Sequence, residues 1–306
     1  MKPRLLLPLL TAAVVGSIFL VPTTSDAQAA HGTTRPQGQD VAVGPQYDTT
    51  HVYVAPGAID AFANSWEATF GGTNTQQVVT DVTPTPSTTK SELIMSPVGT
   101  LSVFDFQTPA PYPFGTERTG WLTTDLTTGV RAARAAGASV VVTPFDDPIG
   151  RDAVIEFPGG IEAQLYWHTT APHYAPLATV PENRVYLSPD AVGSFLRSYK
   201  AFTNGTVTSD NHRADGAAIG LPGTTYRRIA LTSPFGKTLV TVTDGHLPYP
   251  FGREVTGYQV SDLAATLAKA TATGAHVLWG PVTTDGRASA VVQFPGGYIA
   301  ELHATA

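Results

Sequence analysis

From residue 51 onward, apolar positions follow two alternating periods. Residues 51–54 form a short β-prone run. Ile59, Phe62, Trp66 and Phe70 then recur at spacings of three and four, which predicts an amphipathic helix. Gly71-Gly72 supplies its stop. Strands are expected next, among them the alternating run 101–106. Then the pattern restarts. Residues 121–124 read as a strand, and Asp125 sits where a helix N-cap belongs. Leu126, Val130, Ala133 and Gly137 mark one helical face, and strands are expected at 139–143, 153–157 and 162–167. The order is β-α-β-β-β, written twice.

The whole double pattern returns later in the chain. Pro111-Tyr112-Pro113-Phe114-Gly115 reappears as Pro248-Tyr249-Pro250-Phe251-Gly252, an offset of 137. At the same offset Glu117 returns as Glu254, Asp125-Leu126 as Asp262-Leu263, and Phe157-Pro158-Gly159-Gly160 as Phe294-Pro295-Gly296-Gly297. Leu263, Leu267, Ala270 and Gly274 repeat the helical face. Residues 51–56 match 184–189 at an offset of 133, so a four-residue loop difference separates the two registers. Ordered matches at a fixed period mean internal duplication. The expected fold is α+β, with four tandem β-α-β-β-β modules in two copies. The copies span residues 47–168 and 183–306. Residues 169–182, with three prolines, read as a linker over the surface.

The first residues change the picture of where the protein works. Lys2 and Arg4 precede an almost wholly apolar run at 5–21, and Ala27-Gln28-Ala29 offers a small-x-small cleavage pattern. Residues 1–29 therefore read as a signal peptide of an exported, periplasmic or secreted protein. If uncleaved, a run of this length also reaches the size of a membrane anchor. Residues 30–46, rich in Gly, Pro, Gln and Thr, read as a flexible leader. A net charge of −6 without a basic stripe argues against nucleic acid as a partner. The absence of cysteine excludes disulfides, thiolate metal sites and cysteine nucleophiles.

Several segments carry a family resemblance. They are Thr124-Asp125-Leu126, Ala136-Gly137-Ala138, Gly150-Arg151, Phe157-Pro158-Gly159-Gly160, Gln164-Leu165-Tyr166 and Gly297-Tyr298-Ile299-Ala300-Glu301-Leu302. With four paired modules, the chain resembles the vicinal oxygen chelate superfamily of glyoxalases, extradiol dioxygenases and fosfomycin or bleomycin resistance proteins. The resemblance implies two open-barrel domains. It also implies a divalent metal (Zn, Ni, Fe or Mn) held by inward His, Glu or Gln groups, with open positions that polarise a small oxygenated substrate.

On that pattern His51 occupies a ligand position of an opening strand, and Glu301 the position of the metal-binding, catalytic Glu. Their counterparts in the other copy are Arg184 and Gln164, and the remaining opening strands carry Gly120 and Gly257. His303 shares a strand face with Glu301. Two arrangements follow. Exchanged modules would bring His51, Glu301 and His303 onto one ion; otherwise Glu301 pairs with Arg184 inside the second copy. Gln164, Arg184, Tyr53, Tyr166, Tyr186 and His246 are candidate substrate-binding residues. Glu117 and Glu254 read either as acid–base groups or as loop caps, and His168 and His173 as surface residues beside the linker. Two functions compete on these residues. One is a metal-dependent enzyme acting on a small oxygenated molecule. The other is a metal-free protein that binds and sequesters a small molecule.

Overall fold

The computed structural model describes residue 41 and residues 43–306. The expected signal peptide, and the leader as far as residue 40, lie outside the described residues. The first module is β1 (Thr50–Tyr53), α1 (Ile59–Phe70), two short strands β2 (Thr73–Asn74) and β3 (Val78–Thr80), β4 (Thr89–Ser96) and β5 (Gly99–Phe106). The second is β6 (Gly120–Leu122), α2 (Leu126–Ala135), β7 (Ser139–Asp146), β8 (Gly150–Phe157) and β9 (Ile161–His168). The third is β10 (Glu182–Leu187), α3 (Val192–Thr203), β11 (Thr206–Asp215), β12 (Thr225–Ser233) and β13 (Gly236–Val242). The fourth is β14 (Val255–Gln259), α4 (Leu263–Ala272), β15 (His276–Thr284), β16 (Arg287–Gln293) and β17 (Ile299–Thr305).

The local signals act as the sequence predicts. Asp125 and Asp262 cap α2 and α4, accepting from the backbone N–H of Thr128 at 3.0 Å and of Ala265 at 2.9 Å. The Phe-Pro-Gly-Gly segments turn with positive φ at Gly159 and Gly160 and again at Gly296 and Gly297, which a side chain would strain.

Modules pair within each copy. In the second copy one sheet runs β11-β12-β13-β10-β14-β17-β16-β15, with β10 and β14 antiparallel at its centre. The first copy repeats this order in two sheets, β2-β4-β5-β1 and β6-β9-β8-β7. A bridge between Thr50 and Thr119 joins them. There His51 N–H donates to Arg118 C=O at 3.1 Å, and Gly120 N–H to Thr49 C=O at 3.0 Å. Alternation along the strands sends one set of side chains into the concave barrel and the other to the helices.

The two largest hydrophobic cores lie on the helix side, and each draws on both copies. One joins Phe62 and Trp66 of α1 to Tyr258, Leu263 and Phe294 of the fourth module. The other joins Trp121 and Leu126 of the second module to Phe195, Tyr199 and Phe202 of α3. Trp66 meets Tyr258 edge-on at 4.9 Å, and Trp121 stacks on Phe235 at 5.0 Å. Residues 41 and 43–46 differ from the flexible leader expected of them. Val41 is buried, and the Gln46 side chain accepts from Leu122 N–H and donates to Leu122 C=O, both at 3.0 Å. This tethers the segment along β6. Residues 169–181 contain no regular element, and Leu177 N–H donates to Gln46 C=O at 2.7 Å.

Candidate functional site

The two barrels have opposite interiors. In the second copy, Glu182 and Arg184 on β10, Arg287 on β16, and Glu301 and His303 on β17 point to the concave side. Arg184 Nη1 lies 2.6 Å from Glu301 Oε1, and Arg287 Nη2 lies 2.8 Å from Glu182 and 3.1 Å from Glu301. His303 Nδ1 meets Glu301 Oε2 at 2.7 Å. Burial works against the Glu301 carboxylate. The Arg184 charge, the His303 hydrogen bond and the Arg287 charge overcome it and hold the pKa down to about 2. Gly257 makes this approach feasible: a Cβ there would sit 2.9 Å from Glu301 Oε2 and 3.2 Å from Arg184 Cδ.

In the first copy the concave side encloses a hollow of about 460 Å³. Tyr53, Phe104, Phe114, Tyr166 and Trp167 supply its aromatic wall. Tyr53 and Phe104 stack at 5.2 Å. On one side His51 Nδ1 meets Glu117 Oε1 at 2.8 Å, and the Tyr53 hydroxyl donates to the same oxygen at 2.6 Å. Burial opposes the charged imidazole. The charge and hydrogen bond of Glu117, with a contribution from Asp48, outweigh it and raise the His51 pKa. Burial and Glu117 push the Tyr53 hydroxyl well above its ordinary range, so it stays a neutral donor. Gly120 leaves room for the imidazole, since a Cβ there would lie 2.6 Å from His51 Nε2.

A carboxylic group flanks this pair. Asp48, Asp147 and Asp152 line the hollow. Burial, then the charges of Asp147, Asp48 and Glu117, push the Asp152 pKa well up.

Of the residues singled out from the sequence, His51, Tyr53, Gln164 and Tyr166 line the hollow of the first copy together. Glu301, His303 and Arg184 meet in the second. His51 does not join them, because β1 pairs with the segment before β6 of its own copy and its Nδ1 faces Glu117. Tyr186 follows Arg184 on the same face of β10, and burial pushes its hydroxyl up to about 12. His246 stands exposed on a loop, 3.4 Å from Asp244, and lines neither interior. Glu254 lacks an imidazole partner, and burial pushes its carboxyl up to about 8.

His168 differs from the surface placement expected of it, its side chain being largely buried in the hollow; His173 is exposed as expected and stands at the rim of the same hollow. The sequence reading passes over Asp48, Asp147 and Asp152. Their signal is the lack of any acidic counterpart. At the two repeat offsets they align with Pro181, Thr284 and Ser289.

In the second interior Glu301 is not free to hold a divalent ion. The Glu301 oxygens are already held by two guanidinium groups and an imidazole. Among the described residues no group of three or more His, Asp or Glu is arranged to hold a metal ion.

No protein-family model matches the chain, and no curated protein sequence matches it. Solved structures do. A mutant of 4-hydroxymandelate synthase from Streptomyces coelicolor is similar at a TM-score of 0.57 and 15% identity, over 86% of this chain and 93% of that one. A fusion protein of a xylose isomerase-like TIM barrel and a 4-hydroxyphenylpyruvate dioxygenase is similar at a TM-score of 0.51 and 12% identity, over 86% of this chain and 50% of that one. Likeness at such identities is likeness of fold. The fold shared with these two structures is the one expected from the sequence, with open barrels built from paired modules.

Proposed function

We propose that this exported protein binds a small molecule inside the barrel of its first copy, without a metal ion and without chemistry on it. The observation that carries this reading is the contrast between interiors. A hollow of about 460 Å³ falls within the range of drug-sized ligand sites, roughly 300–1,000 Å³. Its aromatic wall supplies apolar area, and the His51–Glu117–Tyr53 set supplies a fixed polar edge. In the second barrel the charged side chains pair with one another, and the cleft of about 700 Å³ beside them is lined by Glu182, Gly257, Arg287 and His303 rather than by an aromatic wall.

Thermal melting of the mature protein against a panel of small aromatic compounds tests this, alongside metal analysis after incubation with Mn, Fe, Ni and Zn. The expected result is no stoichiometric metal and a melting temperature that rises with one class of ligand. Saturation at a hundred times Kd would add about 2.7 kcal/mol. One ion per chain, lost in Glu301→Ala, would replace this reading with the competing one. That reading is a metal-dependent enzyme of the dioxygenase or glyoxalase kind, and its support is the likeness of fold to a synthase and a dioxygenase fusion. Export rests on residues 1–29, and N-terminal sequencing of the secreted protein tests it.

A further inference from the structure

The charged side chains that line the first-copy hollow are mostly acidic, and one guanidinium outside the lining, Arg118, lies over the Tyr53 ring at 5.5 Å. Asp48, Glu92, Asp147 and Asp152 line it, and neither lysine nor arginine does. The one imidazole with a raised pKa, His51, already lies 2.8 Å from Glu117, so its charge is spent on that partner. Asp48 is 8% exposed. Ser102 Oγ donates to its Oδ2 at 2.8 Å. Its Oδ1 is enclosed with no close hydrogen-bond partner; His168 Nε2 stands 3.7 Å away, and the Tyr174 hydroxyl is near enough for the Asp48 carboxylate to raise its pKa. An enclosed carboxylate oxygen left unpaired costs stability unless something positive meets it. Tyr53, Phe104, Phe114, Tyr166 and Trp167 line the same hollow, with Tyr166 beside Asp48 and Asp152. Aromatic faces attract cations, most strongly where water is excluded.

We infer that the ligand of this hollow is an organic cation, a protonated or quaternary amine on an apolar body, with its charge toward Asp48 and Asp152 and its body against the aromatic wall. This rests on the small-molecule reading above and names its ligand class. A bare metal ion does not meet the same description, since no three acidic or imidazole groups are arranged around one point among the described residues. A soft, bulky cation needs fewer direct oxygen donors and uses the rings as well. Proton release accompanies the event. Asp152 is 5% exposed, and burial, then Asp147, Asp48 and Glu117, favour its protonated form until a positive charge arrives. The groups facing it from neighbouring elements are Asp48 ahead of β1, Glu117 ahead of β6, Asp147 between β7 and β8, and Tyr166 on β9.

Three probes of matched size test the inference on the mature chain by titration calorimetry and protein NMR. They are phenyltrimethylammonium, its uncharged carbon isostere tert-butylbenzene, and the anion benzenesulfonate. At pH 8 the cation is expected to bind at least about tenfold more tightly than the isostere, and the anion not at all. Affinity for the cation should fall as the pH is lowered and Asp152 takes up its proton. Asp48→Asn should remove most of the preference. Asp152→Asn closely mimics the protonated acid, so it should fold normally and flatten the pH dependence. Equal or tighter binding of tert-butylbenzene, or a cation preference untouched by both substitutions, overturns the inference and leaves the small-molecule hollow standing. Failure of all three probes to perturb Tyr53, Phe104 or Trp167 sinks both the inference and the reading beneath it.

Discussion

Where the first copy places His51, Gly150, Gln164 and Tyr166, the second places Arg184, Arg287, Glu301 and His303 at the aligned positions. Gly150 against Arg287 is a difference of a whole side chain, and Gln164 against Glu301 is a difference of charge at equal size. Arg287 enters the second barrel from the strand position at which the first has no side chain, and Glu301 binds it and Arg184 together. Phe104 of the aromatic wall aligns with Thr241. Both interiors are carried by the same backbone because the two largest apolar cores lie on the other face of the sheets. The concave side is therefore free to vary, and here it has varied into an aromatic-walled hollow and an ionic cluster.

The sharpest way to break this comparison is to remove the charge that joins the ionic cluster of the second barrel. Glu301→Gln leaves two guanidinium groups facing Glu182 alone and is expected to cost about 3–5 kcal/mol in urea unfolding, the range for breaking a buried pair. The double variant Arg184→Met with Glu301→Gln should recover much of that loss. Gln164→Ala, at the aligned position of the first copy, should cost under about 1 kcal/mol. A neutral Glu301→Gln would show that charge does not hold the second barrel.

The same residue sets an acid limit. Its pKa is lower folded than unfolded. Its contribution is therefore complete above the ordinary carboxylate value, and it is lost as pH falls from there through about 2. The double variant should lack this part of the acid transition.

An intermediate effect is expected in the first copy. Glu117→Gln removes the partner of His51 and of the Tyr53 hydroxyl and should cost about 2 kcal/mol. The His51 pKa is raised by folding. The ionic part of that loss should be full below the ordinary imidazole value and fade as pH rises through the raised one. A pH-independent loss would mean the pair is not ionic. The smallest effect has the opposite sign. Asp152→Ser copies the residue found at Ser289 and removes an acid whose raised pKa makes folding less favourable as pH increases. Stability at pH 8 should rise by up to about 1 kcal/mol. A decrease would show that Asp152 is needed to hold the hollow open.

The scaffold was legible in the sequence because it depends on local signals that occur twice. The face formed by Ile59, Phe62, Trp66 and Phe70, the Asp125 and Asp262 caps, and the Phe-Pro-Gly-Gly turns each specify backbone geometry within a few residues. The interiors were less legible. Whether His51 meets Glu301 or Glu117 depends on which modules pair, and no local pattern encodes that choice. His168 resembled a linker flank because sequence proximity to prolines says nothing about which way β9 turns its last side chain. The acidic lining was visible only as a mismatch between copies, at Asp48, Asp147 and Asp152. Divergence between repeats was there a better guide to the site than their agreement.

The two cores that cross between copies have a further consequence. Helix α1 shares one core with the fourth module, and α2 shares the other with α3. That is the arrangement of a twofold-symmetric dimer whose subunits have been written into one chain. In a dimer of identical subunits every substitution appears at both sites, so one interior could not take up paired charges while the other stayed aromatic. Fusion lifts that constraint. Once the halves carry separate codons, one can pair its charges internally while its twin remains open to a guest.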